Sequence, residues 1–475
     1  MKNTTVNMTE GNPVRLLIRF SIPMLIGNIF QQLYNLADSV IVGQFLGADA
    51  LAAIGTTGSI TFFFFALCNG IGSGGGIITA QYFGQGDTSK VKNCIVNTGY
   101  IMLVFPLVVG TIAFFSAEPF LRLLETPESI MKDATDYLKI SCIGLLFVSI
   151  YNYISSMLRA LGDSKTPLYF LVFSCILNVA LDIICVYFFG WGVVGAGVAT
   201  IFSQLVSGAL CLAFALKRNP YFKFSRYNFE LNSIVITRTI KLGVPLSLQY
   251  SLIAISCMAL QRIVNAFGPI TVAAFTATNR IEQLLHQPYQ TLSAALATYG
   301  GQNYGAKKND RVILGYRKSM MMMAIFTAGM IPLLFLFGRQ ITAIFVSDQA
   351  VIDMGATALR ISSAFYIFLG IIYVVRGVLN SVGDAFFALL NGIVEVIGRF
   401  TVPVFLTMIP AISFWGIWWS VGVVWFMSGF SAWLRYLVIR KRVLLKNDGS
   451  GLGDGKPDGQ LGQKTVGQVQ RNASA

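Results

Sequence analysis

Twelve long apolar stretches follow one another along the 475-residue chain. Each is long enough to cross a bilayer as an α-helix, which needs about 20 predominantly apolar residues. Charged residues make up 12% of the chain, whereas soluble domains have about 25%. The sequence therefore predicts an all-α, polytopic membrane protein. The predicted helices lie near residues 14–42, 51–79, 95–116, 134–158, 167–188, 193–216, 239–266, 271–298, 316–337, 355–379, 386–408 and 414–438.

The basic residues are distributed unevenly between the two ends of these helices. One side holds both termini and the connections at 84–93, 159–167, 217–241, 305–318 and 375–385, and it carries 27 of the 35 Lys and Arg. By the positive-inside rule this side is cytoplasmic, so we expect a cell-membrane protein with both termini inside. The net charge of +14 then reflects topology, and no soluble basic domain is available to bind nucleic acid.

An internal repeat divides the chain at an offset of about 221 residues. AQYFGQGD at 80–87 matches GQNYGAKK at 301–308, and LGD at 161–163 matches VGD at 382–384. Six helices precede each return, which predicts a parallel repeat of the kind found in transporter folds. The expected parts are a cytoplasmic N-terminus (1–13), an N-lobe (14–216), a cytoplasmic linker (217–238), a C-lobe (239–440) and a disordered cytoplasmic tail (441–475).

Asp38 is the one acid between Leu16 and Gly47. A carboxylate at the centre of a bilayer costs roughly 2.5–3.5 kcal/mol on insertion scales, so such a residue is a functional candidate by default. Gln31, Tyr34 and Asn35 precede Asp38 by seven, four and three positions and therefore share its helical face. That face is expected to point into protein or a substrate cavity.

The fifth and sixth predicted helices add polar residues at the same depth. Asn178 and Asp182 are four positions apart on one face, and Thr200 lies about two turns below the outer surface. With Asp38 they form a set of hard oxygen donors that suits Na⁺ or a shared proton. The alternative is a static polar network that braces the lobe.

The second half of the chain carries a different set of charges inside its predicted helices. Glu395 and Arg399 are four positions apart, a spacing that favours a structural ion pair. Glu282 either binds a cation or pairs with an arginine. Arg262 and Arg280 are expected to be buried with them.

Several function classes find no support in the sequence. No GxxxxGK[ST] loop, catalytic triad or His/Cys metal set is present, so we expect neither an enzyme nor ATP-driven transport. The seven cysteines and His286 are interpreted as structural residues.

The quoted residues carry a resemblance to a known family. The stretch FSIPMLIGNIFQQLYNLADSVIVGQFLGADALAAIG, the two repeat motifs, SSMLRALGDSKTP, LNVALD with GAGVAT, and RGVLNSVGD together resemble the multidrug and toxic compound extrusion (MATE) transporters, most of all their prokaryotic DinF-like branch. The resemblance implies two six-helix bundles around a central cleft, and antiport of Na⁺ or H⁺ against organic, often cationic, drugs.

The resemblance also implies roles for individual residues. Asp38, Asn178, Asp182 and Thr200 match the family's first-lobe cation site, and Tyr137 stands where the family often adds a tyrosine. NorM-like members use acids in helices seven and ten. Here the predicted helix seven has no acid, and the predicted helix ten has none past Asp353 at its mouth. Coupling is therefore expected to depend on the first lobe.

The sequence thus predicts a secondary active multidrug exporter that works as a monomer in the bilayer. Its substrates would be small organic compounds, and it would need no cofactor beyond the coupling ion, H⁺ or Na⁺. Two alternatives stay open: a lipid-linked oligosaccharide flippase of the same superfamily, and a membrane channel or receptor.

Overall fold

A computed structural model describes residues 5–445, apart from the side chain of Met258. Helices account for nearly all of these residues, and no β-strand occurs among them. The α-helices are α1 (Pro13–Leu46), α2 (Ala48–Gly84), α3 (Thr88–Phe115), α4 (Ala117–Leu123), α5 (Glu128–Ala160), α6 (Lys165–Asp182), α7 (Gly192–Arg218), α8 (Ser233–Asn265), α9 (Pro269–Gly305), α10 (Asn309–Ala343), α11 (Gln349–Ser363), α12 (Tyr366–Ser381), α13 (Ala385–Thr407) and α14 (Gly416–Ile439). Short π-helices continue α6 over Ile183–Phe188 and α14 over Arg440–Leu444.

Most of these helices can span a membrane. Within residues 5–445, ten are long and apolar enough, and the pair α11 and α12, bent by 52° at its break, forms an eleventh span. Helix α9 has the length of a span, 37 residues, but exposes the polar side chains of Thr276, Arg280 and Gln283 along one side. That exposed polar stripe lowers the hydropathy of α9 and indicates that this side faces away from lipid.

The predicted tenth helix, 355–379, is wrong as one continuous element. The chain breaks between Ser363 and Tyr366, where the Ser363 hydroxyl donates to the carbonyl oxygen of Arg360 over 2.8 Å. A serine hydroxyl that binds the backbone competes with regular helical hydrogen bonding. The apolar run continues through the break, so hydropathy gave no signal for it.

The ends of the two halves also differ from the predicted boundaries. The connection between α7 and α8 contains two 3₁₀ turns, Pro220–Phe222 and Arg226–Phe229, and α8 begins at Ser233 rather than 239. Residues 441–444 of the predicted tail are helical, and Leu444 is buried. The rest of that predicted disordered tail, 446–475, lies outside the described residues.

We call helices α1–α7 the N-lobe and helices α8–α14 the C-lobe. The basic end is the end of the bundle that is formed by the connections at 85–87, 161–164, 219–232, 306–308 and 382–384. At the basic end two glutamines join the lobes. The Gln81 side-chain amide donates to the carbonyl oxygen of Ser381, and the Gln302 amide donates to that of Ala160, each over 2.9 Å. The two donors, Gln81 and Gln302, are related by the 221-residue offset of the repeat, and so are the two acceptors, Ala160 and Ser381. The pseudo-twofold axis therefore passes between these two hydrogen bonds.

Two glycines allow the lobes to approach at this point. A Cβ at Gly84 would overlap the carbonyl oxygen of Gln302, and a Cβ at Gly305 would overlap that of Gln81. Only glycine therefore permits this packing of α2 against α9. We call these two glycines and the two glutamines the basic-end clasp.

The N-terminal segment 5–12 packs onto the clasp rather than leaving the bundle as a free tail. The Met8 amide donates to Gln302 Oε1 over 2.8 Å, and the Met8 carbonyl accepts from Arg311 over 3.2 Å. The amide of Val6 donates to the carbonyl oxygen of Leu161 over 3.2 Å. The segment thus bridges the end of α5 in the N-lobe and the start of α10 in the C-lobe.

Gly84→Ala is expected to lower the melting temperature of the purified protein by several degrees, because overpacking a close contact costs roughly 1–3 kcal/mol. Gly55→Ala, also in α2, is the matched control, since nothing lies within 4 Å of its added Cβ. Alanine is the better helix former, so the control is expected to be neutral or stabilising. Equal melting temperatures for the two variants would contradict the clasp.

Candidate functional site

Two carboxyl groups from different helices of the N-lobe meet inside the protein. Asp38 on α1 and Asp182, the last residue of α6, lie within hydrogen-bonding reach of each other. Asp182 is fully buried, and the chain changes there from α- to π-helix. Single π-turns inside α-helices occur frequently at functional sites.

The oxygen atoms of this pair have few partners in the protein. Among the described residues, Asp38 Oδ1, both carboxylate oxygens of Asp182, and Asn178 Oδ1 are buried and accept no hydrogen bond from the chain. A buried charge without a partner is strongly unfavourable, and two adjacent carboxylates also repel each other. The arrangement can therefore be stabilised by a proton or a metal cation held between them.

Thr200 on α7 connects the surrounding helices. Its hydroxyl accepts from the Asn178 side-chain amide over 3.3 Å and lies 3.3 Å from the Tyr34 hydroxyl. Tyr137 on α5 lies close to both aspartates. The structure thus brings the four residues predicted for cation coupling together with Tyr34, which was expected to share their polar face, and with Tyr137, which the family resemblance added.

Asn35 belongs to a different face of α1. Its side chain is exposed and accepts from the half-buried Gln31 amide over 3.5 Å, whereas Tyr34 and Asp38 point into the lobe. The one polar face predicted from spacing is therefore two adjacent stripes. Residue spacing fixed their separation along α1 but not the rotation of α1 against α6 and α7.

A cleft separates the lobes away from the basic end. Asn28 on α1 donates to Gln287 on α9 over 2.9 Å. Within residues 5–445, the hydrogen bonds between the lobes lie at this level or nearer the basic end. Beyond it, Asn35 on α1 and Arg280 and Gln283 on α9 are exposed. From this exposure and the lack of inter-lobe hydrogen bonds there in the described part of the chain, we infer that these side chains line a cleft that opens at the end opposite the basic end.

The main charge network of the C-lobe is satisfied by the chain itself. Glu395 is buried and pairs with Arg376, accepts from the Ser428 hydroxyl over 3.0 Å, and lies 3.9 Å from Arg399. Arg376 also donates to Asn391 Oδ1 over 2.9 and 2.6 Å. The predicted Glu395–Arg399 pair is thus present, but it is the longer of two ion pairs.

Sequence reasoning missed Arg376, which it placed in a cytoplasmic connection. The residue lies within α12 and is 9% exposed. Valines directly precede it and a Gly-Val-Leu run follows it, and that apolar context was the available signal. The expectation of burial for Arg262 and Arg280 is also wrong. Both are exposed, Arg262 because it lies in the last turn of α8 and Arg280 because it lines the cleft.

Glu282 lies in the C-lobe, apart from the aspartate pair. It accepts a hydrogen bond from the Tyr366 hydroxyl over 3.4 Å, next to the break between α11 and α12. His286, one turn further along α9, packs its ring against Trp425 with centroids 5.7 Å apart. The described part of the chain contains no group of three or more His, Cys, Asp or Glu that could hold a metal ion. The donor set at Asp38 is therefore two carboxylates with an amide and a hydroxyl oxygen.

A family model described as MatE matches residues 23–184 and 245–402, which takes in the aspartate pair and the glutamate network. This chain belongs to the MatE family. It is 31% identical over 381 residues to the probable multidrug resistance protein YpnP of Bacillus subtilis strain 168, a match that covers 79% of this chain and 84% of YpnP. It is 22% identical over 449 residues to the multidrug export protein MepA of Staphylococcus aureus strain NCTC 8325, with 93% of this chain and 98% of MepA covered.

The fold agrees with this assignment. The structure matches a solved multidrug resistance MATE family transporter of the MOP superfamily, described as outward-facing, with a TM-score of 0.85 over 94% of this chain and 100% of that one, at 24% identity. The predicted fold, twelve transmembrane helices in a MATE arrangement, is confirmed. This MATE member is a multi-pass membrane protein whose homologues are multidrug efflux transporters, not enzymes.

Two buried acids of this MATE chain are expected to respond oppositely to neutralisation. Glu395→Gln leaves Arg376 and Arg399 without their carboxylate, and breaking a buried pair costs roughly 3–5 kcal/mol. Asp182→Asn removes one of two mutually repelling groups and should leave stability unchanged or higher. Thermal unfolding of the purified variants in Na⁺-free buffer measures both. A loss for Asp182→Asn as large as that for Glu395→Gln would show that the aspartates form a satisfied structural network.

Proposed function

We propose that this protein exports small organic compounds, often cationic ones, by antiport with H⁺ or Na⁺ bound at Asp38 and Asp182. The supporting observation is the buried carboxylate pair whose oxygens have almost no hydrogen-bond partners in the chain. Family membership supports efflux, since the relatives are multidrug transporters. The single chain supplies both lobes and the cleft, so we propose a monomer as the transport unit.

The mechanism follows from differential binding. An ion can shift a conformational equilibrium only by the difference in its affinity for the two states. With the ion absent, Asp38 and Asp182 repel each other and favour an arrangement that separates or hydrates them. With it bound, the pair can approach, and Asn178, Thr200 and Tyr34 keep α1, α6 and α7 in register around it.

The substrate path in this proposal is the cleft between the lobes. Its wall carries uncharged polar groups from α1, such as Asn35, and the mixed polar stripe of α9. If the basic end is cytoplasmic, as the positive-inside rule indicates, the cleft faces outward and the basic-end clasp is the closed inner gate. Export then requires the clasp to open, so that substrate can enter the cleft from the cytoplasm.

The donor set suits both coupling ions. Na⁺ takes carboxylate, amide and hydroxyl oxygens, and a proton shared by two carboxylates uses the same pair. Asn178 Oδ1 accepts no hydrogen bond from the chain. It is a ligand that Na⁺ would bind, whereas a proton shared by the two carboxylates would not need it.

Dye efflux from proteoliposomes tests the proposal. A pH gradient and a Na⁺ gradient are imposed separately on wild type, Asp38→Asn and Asp182→Asn. Wild type is expected to respond to one gradient, and each variant to lose at least about 10-fold in rate, because an asparagine has no negative charge to hold a cation and no carboxylate to take up a proton. Asp49→Asn is the control, since Asp49 is an exposed carboxylate in the first turn of α2.

Full gradient-driven efflux by either aspartate variant would overturn the coupling site. If no gradient moves a dye while lipid-linked oligosaccharide is translocated, the flippase alternative is correct instead. Gradient-independent, non-saturable flux would identify a channel.

Orientation has a test of its own. In a Cys257→Ser background, which removes the exposed native thiol, Lys223→Cys at the basic end and Ser347→Cys at the opposite end are labelled with an impermeant maleimide. Ser347→Cys is expected to react in intact cells and Lys223→Cys only after permeabilisation, because the basic end is cytoplasmic by charge. The reverse pattern would invert the proposed direction of the cleft.

A further inference from the structure

Arg159 is a second charge in the N-lobe that the chain itself does not neutralise. It lies in the last turn of α5, near the basic end, and is partly buried. Its backbone carbonyl accepts from the amide of Gly162 over 2.8 Å, but among residues 5–445 its guanidinium takes part in none of the ion pairs or hydrogen bonds. The two ionisable side chains that interact with it electrostatically, Tyr151 and Cys211, are uncharged at neutral pH.

The acid nearest to Arg159 in the sequence, Asp163, already has hydrogen-bond partners. Asp163 accepts from the backbone amides of Lys165 and Thr166 over 3.1 and 3.0 Å through one oxygen. Its other oxygen accepts from the Thr166 hydroxyl over 2.6 Å. Asp163 therefore caps the start of α6 rather than pairing with Arg159.

Arg159 lines a cavity of about 240 Å³ between α1, α5 and α6. Asn152 and Ser164 line the same cavity, and their side chains have no hydrogen-bond partner within the described part of the chain. The walls from α1 and α6 add neutral groups, such as Asn28 and Leu168, and no acid. The cavity thus combines one positive charge with unengaged amide and hydroxyl donors.

Such a donor set fits an anion with two or more oxygens. A guanidinium presents paired N–H groups that match a phosphate or carboxylate in a bidentate manner. Arg376 in the C-lobe shows the contrast, since Glu395 and Asn391 satisfy its guanidinium within the protein. A cavity of this size also exceeds the roughly 30 Å³ that one water occupies, so it has room for a group of several heavy atoms.

We propose that this N-lobe cavity binds an oxyanion, a phosphate or carboxylate group, through Arg159 with Asn152 and Ser164. The anion is either the headgroup of a membrane lipid or a free ion. This site is separate from the proposed cation site, because its charge is opposite and its residues lie near the basic end rather than beside Asp38.

Thermal unfolding of the full-length protein tests the site. Wild type, Arg159→Gln and Arg19→Gln are titrated in detergent with inorganic phosphate at constant ionic strength, and are compared in nanodiscs of phosphatidylglycerol and of phosphatidylcholine. Arg19 is an exposed arginine of α1 near the same end, so its loss removes the same charge outside the cavity. We expect a saturable rise in the melting temperature of wild type and Arg19→Gln that Arg159→Gln lacks.

The arms of the experiment identify the source of the anion. A rise with phosphate indicates a free anion, and a rise only in phosphatidylglycerol indicates a lipid headgroup. Asn152→Leu keeps Arg159 but replaces the amide with an apolar group of similar shape, and is expected to weaken phosphate binding at least 10-fold. The Asn152→Leu variant also tests the site if Arg159→Gln fails to fold. Equal responses from wild type, Arg159→Gln and Asn152→Leu, or none from wild type with either anion, would overturn the proposal.

Discussion

The low dielectric inside the bundle requires every buried charge to have a partner, and the two lobes meet this requirement differently. In the C-lobe, Glu395 is held by Arg376, with Arg399 nearby, so the chain satisfies its own carboxylate. In the N-lobe, Asp38 and Asp182 face each other with oxygens that the chain leaves unpaired. A partner from outside the chain can then stabilise the pair, and this difference from the C-lobe network is the reason for proposing ion exchange in the N-lobe.

The composition of the N-lobe cluster was readable from the sequence because helical spacing and depth fix it. Asn178 and Asp182 must share a face, and Thr200 must lie near their depth if both helices span the bilayer. The rotation of α1 was not readable, so Asn35 was assigned to the same face as Asp38 although it points to the cleft. Arg376 was misplaced for a related reason: hydropathy marks where a span ends only approximately, and whether an arginine there is buried depends on the tertiary partners Asn391 and Glu395.

The repeat also determines how the lobes meet. Residues 221 positions apart, Gln81 and Gln302 or Gly84 and Gly305, take equivalent places across the pseudo-twofold axis, so that Gly84 packs against Gln302 and Gly305 packs against Gln81. Their contact consists of hydrogen bonds and close glycine packing, with little large apolar surface. Such a contact can open at modest free-energy cost, because the amides can exchange their partners for water at the membrane boundary. An alternating-access protein needs an inner closure of this kind, stable when formed and reversible.

Helix α1 is the element on which these features converge. Asp38 lies in its half remote from the basic end, the cavity of Arg159 borders the other half, and Pro23 lies in that half and interrupts the backbone hydrogen bonds between turns. In the two proposals, a cation would bind Asp38 of α1 together with Asp182 of α6, and an anion would bind in a cavity that has α1 as one wall. Because the same helix also carries Asn28, which bonds to Gln287 of the C-lobe, any change in its bend alters the junction between the lobes. If the two proposed sites bind ions, their occupancy can therefore reach the cleft through α1 alone, without a separate relay between the lobes.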